Sequence, residues 1–162
     1  MSKAPSTNAT RLLKQHGVAF TEHLYRYEDK GGTRVSAREL GIPEHVVIKT
    51  LVMEDEKGTP LIVLMHGDLE VSTQALARQI GAKSVQPCQP EIAKRHSGCM
   101  VGGTSPFGTK KSMPVYAEAS IFDLARIYIN GGSRGFLVEM GPMELDKILT
   151  VVRVKVGVPL RA

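Results

Sequence analysis

The stretch Val46-Val47-Ile48-Lys49-Thr50-Leu51-Val52-Met53 decides the fold. Its β-branched residues predict a strand, and side chains along a strand alternate between two faces. Lys49 shares one face with Val47, Leu51 and Met53; the other carries Val46, Ile48, Thr50 and Val52. Both faces are apolar, so the strand belongs inside a sheet and Lys49 has apolar neighbours whichever way it points. A charged amine there is unfavourable unless it is paired or its pKa falls. Two readings are open. The amine is a cation at the floor of a pocket, aimed at an anionic or carbonyl group, or its stem packs on the sheet while its head reaches water.

Working outward, Leu61–Met65 is a second strand, joined to the first by a hairpin-like connection over Asp55–Pro60. Upstream, residues 8–16 read as a helix capped by Thr7 or Asn8 and stopped by Gly17. A strand follows near Val18–Tyr27, then a turn at Asp29–Thr33 and a short helix Ser36–Leu40 ended by Gly41. Downstream, Ser72 caps a helix through Ile80, and Pro90 leads into a short helix at Ile92–His96. Strands are expected at Val115–Glu118, Arg126–Ile129, Phe136–Glu139 and Val151–Val154, with a helix near Pro142–Leu149. Regular βαβ alternation is absent, which disfavours a doubly wound fold. The expectation is a mixed α/β (α+β) single domain over residues 1–162, built on a curved or partly closed sheet flanked by helices, with residues 1–7 as a flexible tail.

Composition sets the outer bounds. Hydrophobic residues are 42% of the 162, enough for a core. The net charge of +5 suits an anionic partner such as nucleic acid, without a polybasic tail. Two cysteines, Cys88 and Cys99, make no disulfide framework. The polar start Met1–Ala9 lacks an apolar leader, and no run approaches the ~18 apolar residues of a membrane span. The expected compartment is the cytoplasm, with no membrane contact.

Three glycine-rich features carry candidate chemistry. Gly102-Gly103-Thr104-Ser105-Pro106-Phe107-Gly108 allows close backbone approach to a ligand, and Lys110 and Lys111 follow it; a plain structural turn is the alternative. It is not a P-loop, because Thr109 stands where the phosphate-binding lysine belongs. Asn130-Gly131-Gly132-Ser133-Arg134-Gly135 reads as a hairpin turn, with Arg134 as a phosphate-contact candidate. His66-Gly67-Asp68 punctuates a strand end, with His66 either structural or facing a cleft; Tyr25 shares a strand face with Tyr27. No nucleophile elbow or zinc motif is present, and Cys88, His96 and Cys99 lack zinc-site spacing. No metal and no cofactor is expected.

Together, Val47-Ile48-Lys49-Thr50-Leu51 and Val101-Gly102-Gly103-Thr104-Ser105-Pro106-Phe107-Gly108-Thr109-Lys110-Lys111 resemble the YbaK/EbsC family, relatives of the editing domain inserted in bacterial prolyl-tRNA synthetase. Phe20-Thr21-Glu22-His23-Leu24-Tyr25, Ile80–Val85 and Ile127–Gly135 extend the resemblance across roughly residues 10 to 150. It implies removal of a mischarged amino acid from tRNA, most often Cys from tRNA(Pro), with aminoacyl-tRNA as partner and prolyl-tRNA synthetase as a second candidate partner. It implies that Lys49 is the essential side chain, that Tyr25 lines the pocket, and that Gly102 and Gly103 hold the substrate through backbone groups. Thr104, Ser105, Phe107 and His66 complete the expected substrate site; Lys110, Lys111 and Arg134 are the expected tRNA contacts. The Cys-specific relatives often carry Gly-Leu-Asp where this chain has Gly135-Phe136-Leu137, which leaves a small residue such as Ala beside Cys as the edited amino acid. A non-catalytic module binding aminoacyl-tRNA or a synthetase, and an esterase for a small metabolite, are the rival expectations.

Overall fold

The computed structural model describes residues 3–161. Ten strands and five α-helices follow one another along the described chain. Helix α1 (Asn8–Gln15) opens at Thr7, whose hydroxyl accepts from the Thr10 amide while the Thr10 hydroxyl accepts from the Thr7 amide. The Thr7 hydroxyl also reaches the Gly131 carbonyl at 2.5 Å, and Ala4 packs on the core. The expected tail thus has anchored positions at residues 4 and 7, and residues 1 and 2 lie outside the described residues.

Strand β1 (Thr21–Leu24) is shorter than the expected 18–27 because it is an edge strand paired only with β8 (Phe136–Met140). Helix α2 (Gly32–Leu40) begins inside the glycine pair read as a turn. Strand β2 (Val47–Asp55) and β3 (Pro60–His66) form the long central hairpin. A three-residue strand β4 (Leu69–Val71) leads to α3 (Thr73–Ile80), capped by the Ser72 hydroxyl. Then come β5 (Val85–Pro87), α4 (Pro90–Ser97), β6 (Val115–Glu118) and β7 (Ile127–Asn130). The expected helix at 142–149 is a 3-10 turn over Pro142–Glu144 running into α5 (Leu145–Ile148). Strands β9 (Val151–Val154) and β10 (Gly157–Pro159) complete the chain.

The main sheet runs β1-β8-β7-β2-β3-β6-β9, with β5 on β2; β10 and β4 form a separate two-stranded ribbon. Pairings of β2 with β7, β3 with β6 and β6 with β9 are parallel and the rest antiparallel, so the sheet is mixed and open-ended. One face buries Ile48, Val52, Ile62, Leu64, Ile127, Ile129 and Phe136 beneath α1 and the loop residue Phe107. Each such fully buried side chain contributes about 1.5–3 kcal/mol. The opposite face carries two smaller clusters, one at Val47, Ala37 and Leu137 under α2, the other at Met53, Leu61, Val63, Met65 and Leu76 under α3. Lys49 lies on this second face, between the two.

Candidate active site

Strand β2 supplies the centre of the site. Lys49 is half-buried, and its ammonium group donates to the Leu69 carbonyl on β4. Burial pushes its pKa below that of an ordinary lysine, against the opposing pull of Glu44, Glu70 and Asp68. The amine is therefore held by a carbonyl and balanced by three nearby carboxylates, with no carboxylate of the described residues in direct contact.

The sheet has a window beside it. The β2–β7 ladder ends at Ile48 and the β2–β5 ladder begins at Met53, so residues 49–52 have no strand along that edge. Alternation fixes which backbone groups face the window. The Val47 carbonyl accepts from Gly67 on the β3 side, and the Val52 carbonyl accepts from Cys88 on the other. Residues of even number in β2 therefore point outward, and the N–H and C=O of Thr50 face the gap. The Thr50 hydroxyl is buried without a hydrogen-bond partner. Buried polar groups are normally satisfied by protein, water or ligand, so the Thr50 hydroxyl beside an open backbone edge is a candidate contact for a polar atom entering the gap.

A cleft of about 1210 Å³ opens through this window, reaching Tyr25 and Leu137 on one side and Cys88 and Ala93 on the other. Its lip is the loop over residues 98–108, tied to the β7–β8 turn. Arg134 Nε donates to the Val101 carbonyl at 2.8 Å, and Asn130 Nδ2 donates to the Gly102 carbonyl at 3.4 Å. The Arg134 guanidinium lies over the Tyr27 ring, 5.1 Å from its centre. Gly102 has φ +91°, and a Cβ there would sit 2.7 Å from the Tyr27 hydroxyl, so the close approach of loop and tyrosine requires glycine.

The structure sorts the expected site residues. Lys49, Tyr25, Gly102, Thr104 and Arg134 line the cleft together. Gly103, Ser105, Phe107 and His66 do not, and each has a physical reason. The Gly103 N–H is spent on the Met100 carbonyl at 2.8 Å, and a Cβ there would meet the Arg134 amide at 2.7 Å. The Ser105 hydroxyl accepts from the Phe107 amide at 3.2 Å inside the turn, and Phe107 is a core side chain, 2% exposed. His66 is fully buried, stacked on His45 with ring centres 3.8 Å apart. Its Nδ1 donates to the His45 carbonyl at 2.8 Å, and burial lowers its pKa and favours the neutral ring, whose Nε2 accepts from the Ser120 hydroxyl at 2.7 Å. Lys110 and Lys111 are exposed outside the cleft lining, their amides bonded to the Ser97 and His96 carbonyls. Burial pushes the Tyr25 phenol pKa up, which keeps it a neutral donor.

Thr50, Glu70, Val158 and Arg161 also line the cleft and were not expected from the sequence. Thr50 stood in plain view beside Lys49; nothing local marks the C-terminal pair. Among the described residues no helix is long and apolar enough to cross a membrane.

Residues 29–148 match the model of the aminoacyl-tRNA editing domain. EbsC of Enterococcus faecalis, provisionally named a Cys-tRNA(Pro)/Cys-tRNA(Cys) deacylase, is 31% identical over 137 residues, covering 84% of each chain. The proline–tRNA ligase of Thermodesulfovibrio yellowstonii is 36% identical over 89 residues, which is 55% of this chain but 15% of that enzyme. A solved structure described as a provisional trans-editing enzyme for prolyl tRNA synthetase superposes with TM-score 0.76 at 21% identity, covering 94% of this chain and 99% of its own; at that identity the likeness is one of fold. The chain belongs to the aminoacyl-tRNA editing domain family.

Proposed function

We propose that this protein is a trans-acting aminoacyl-tRNA deacylase, cleaving the ester between a wrong amino acid and the 3′ end of tRNA, with Cys-tRNA(Pro) as its first candidate substrate. The observation that carries the reading is the Lys49 amine, half-buried and held by the Leu69 carbonyl at the floor of a cleft whose lip is the Gly102 loop. The sequence carries no nucleophile elbow, and an activated ester does not require a protein nucleophile. Water, or the thiol of a cysteinyl substrate, adds to the ester carbonyl; the ribose oxygen leaves and takes a proton. Lys49 orients the terminal ribose or its phosphate. With the Gly103 N–H occupied, Gly102 and the Thr50 edge are the backbone donors available for the developing oxyanion.

Size supports a substrate larger than an amino acid. About 1210 Å³ exceeds the roughly 300–1,000 Å³ of typical small-molecule pockets, so the cleft has room for the terminal nucleotide as well. Discrimination by one methylene is worth only about 1–3 kcal/mol. Further selectivity then comes from the tRNA, or from a docked prolyl-tRNA synthetase. Lys110, Lys111 and Arg134 are our candidates for phosphate contact.

The test is a panel of mischarged tRNAs, with Cys-tRNA(Pro) and Ala-tRNA(Pro) included, followed by amino-acid release. Lys49→Ala is expected to lower the rate by about 10²–10³-fold, the scale of losing one preorganised charge-stabilising group, with an unchanged melting curve. Wild-type turnover in that variant would remove Lys49 from the mechanism. Binding without release across the whole panel would replace the enzyme with a non-catalytic binding module.

A further inference from the structure

The C-terminal segment lies beyond the stretch that matches the family, residues 29–148, yet it forms a wall of the cleft through Val158 of β10 and Arg161 just past that strand. How it is held there is unusual. Glu118 ends β6 and pairs with Val154, the last residue of β9, so its side chain sits where the chain leaves the main sheet. Glu118 is 8% exposed, and its carboxylate forms no ion pair among the described residues. Its Oε1 accepts from the Val156 amide at 2.7 Å and its Oε2 from the Gly157 amide at 2.9 Å. Hydrogen bonds to an ionised acceptor are the strong ones, and two in succession fix the direction of the backbone they hold.

Two further fixtures hold the same turn. The Ser72 amide donates to the Val156 carbonyl at 2.8 Å. Gln79 both donates to the Lys155 carbonyl at 2.8 Å and accepts from the Lys155 amide at 3.0 Å. From this anchor β10 pairs with β4 in the register Gly157↔Val71, Val158↔Glu70, Pro159↔Leu69. β4 carries the carbonyl that receives the Lys49 amine, and Glu70, one of the carboxylates acting on it. Arg161 closes the far end with an ion pair to Glu70 at 3.2 Å.

We propose that Glu118 is a positioning residue for Lys49, acting through the C-terminal strand that it clamps and the β4 carbonyl that this strand holds in place. The inference rests on the deacylase reading for its kinetic consequence, but not for its structural one. A clamp that only stabilised the fold would leave the amine unaffected when loosened; a positioning clamp lets water reach it. Around Lys49 the groups that set its charge are Glu44, Asp68 and Glu70, with Lys30, Arg134 and Arg161 on the cleft walls. None of them is replaced in a Glu118 variant, and Glu70 and Arg161 shift only through the strands that the clamp holds.

The experiment is an NMR titration of the Lys49 side chain, assigned by its loss in Lys49→Ala, in wild type, Glu118→Gln, Gly157→Ala and the double variant. The second substitution attacks the clamp from the other side, since a Cβ on Gly157 would stand 2.6 Å from Glu118 Oε2 and 3.1 Å from Leu69 Cδ1. Each single variant is expected to move the Lys49 midpoint upward, toward free lysine. Each should also lower kcat roughly 10- to 100-fold with KM changed by less than about threefold. The double variant should be no worse than the worse single, because both break one device. Lower melting temperatures with a wild-type Lys49 midpoint and wild-type kcat would overturn the proposal. If Glu118→Gln does not fold, Gly157→Ala and a chain ending at Val156 decide it. If wild type deacylates nothing, the deacylase reading fails by itself and the titration alone judges the clamp.

Discussion

His66 shows how a single residue can be conspicuous in sequence and silent in the cleft. It sits at the end of β3, one strand over from Ile48 in the core, with both ring nitrogens engaged. Burial pushes its pKa below the ordinary histidine value, so the neutral ring is the form the fold accepts. In the unfolded chain the imidazole protonates at its usual pKa of about 6.5. The stability it contributes is thus complete above that pH and is lost as pH falls through it toward the lower folded value. Thermal unfolding followed from pH 8 to pH 5 should show a fall that His66→Gln flattens; an identical pH profile in the two proteins would show that the buried ring is not its source. Lys49 is the opposite case. Its apolar neighbours on both faces announced a special environment, but nothing near it in the sequence pointed to its partner, the Leu69 carbonyl twenty residues away.

At the scale of elements, legibility followed length. The nine-residue β2 and seven-residue β3 carry enough β-branched and aliphatic side chains to be read directly, and α3 carries its Ser72 cap and Gly81 stop in the sequence. Strands β4, β5 and β10 have three residues each, too few to display a period, and they exist because neighbouring backbone completes their hydrogen bonds. Those are the elements that bound the site: β5 sets one end of the window, and β4 with β10 builds a wall of the cleft. The glycine loop was half legible. Gly102 and Gly103 both read as ligand-facing, yet one lies at the lip and the other is consumed in a turn, because Arg134 and Ser133 fill the space behind Gly103. Adjacent glycines look alike in a sequence and differ only by what the rest of the fold places against them.

For the whole molecule, the net charge of +5 favours an anionic partner such as RNA. Binding to deacylated tRNA should weaken as salt rises, with log affinity linear in log salt and a slope of roughly −0.7 for each single-stranded phosphate neutralised. Replacing Lys110 and Lys111 together by Ala should make that slope shallower while leaving release from a minimal aminoacyl-nucleoside substrate as in wild type. An unchanged slope would move the phosphate contacts elsewhere, with Arg134 the next to vary.

The gap in the sheet also gives the protein an internal reporter. Leu51 bonds its backbone across to β3, but the neighbouring Thr50 N–H looks into the opening, so deuterium from solvent is expected to reach the middle of the longest strand without any unfolding. In the empty protein Thr50 should exchange at a rate typical of a loop while Leu51 exchanges at that of the core. A molecule seated in the opening shields that single proton, and the disparity between two adjacent amides then measures occupancy without a chemical label.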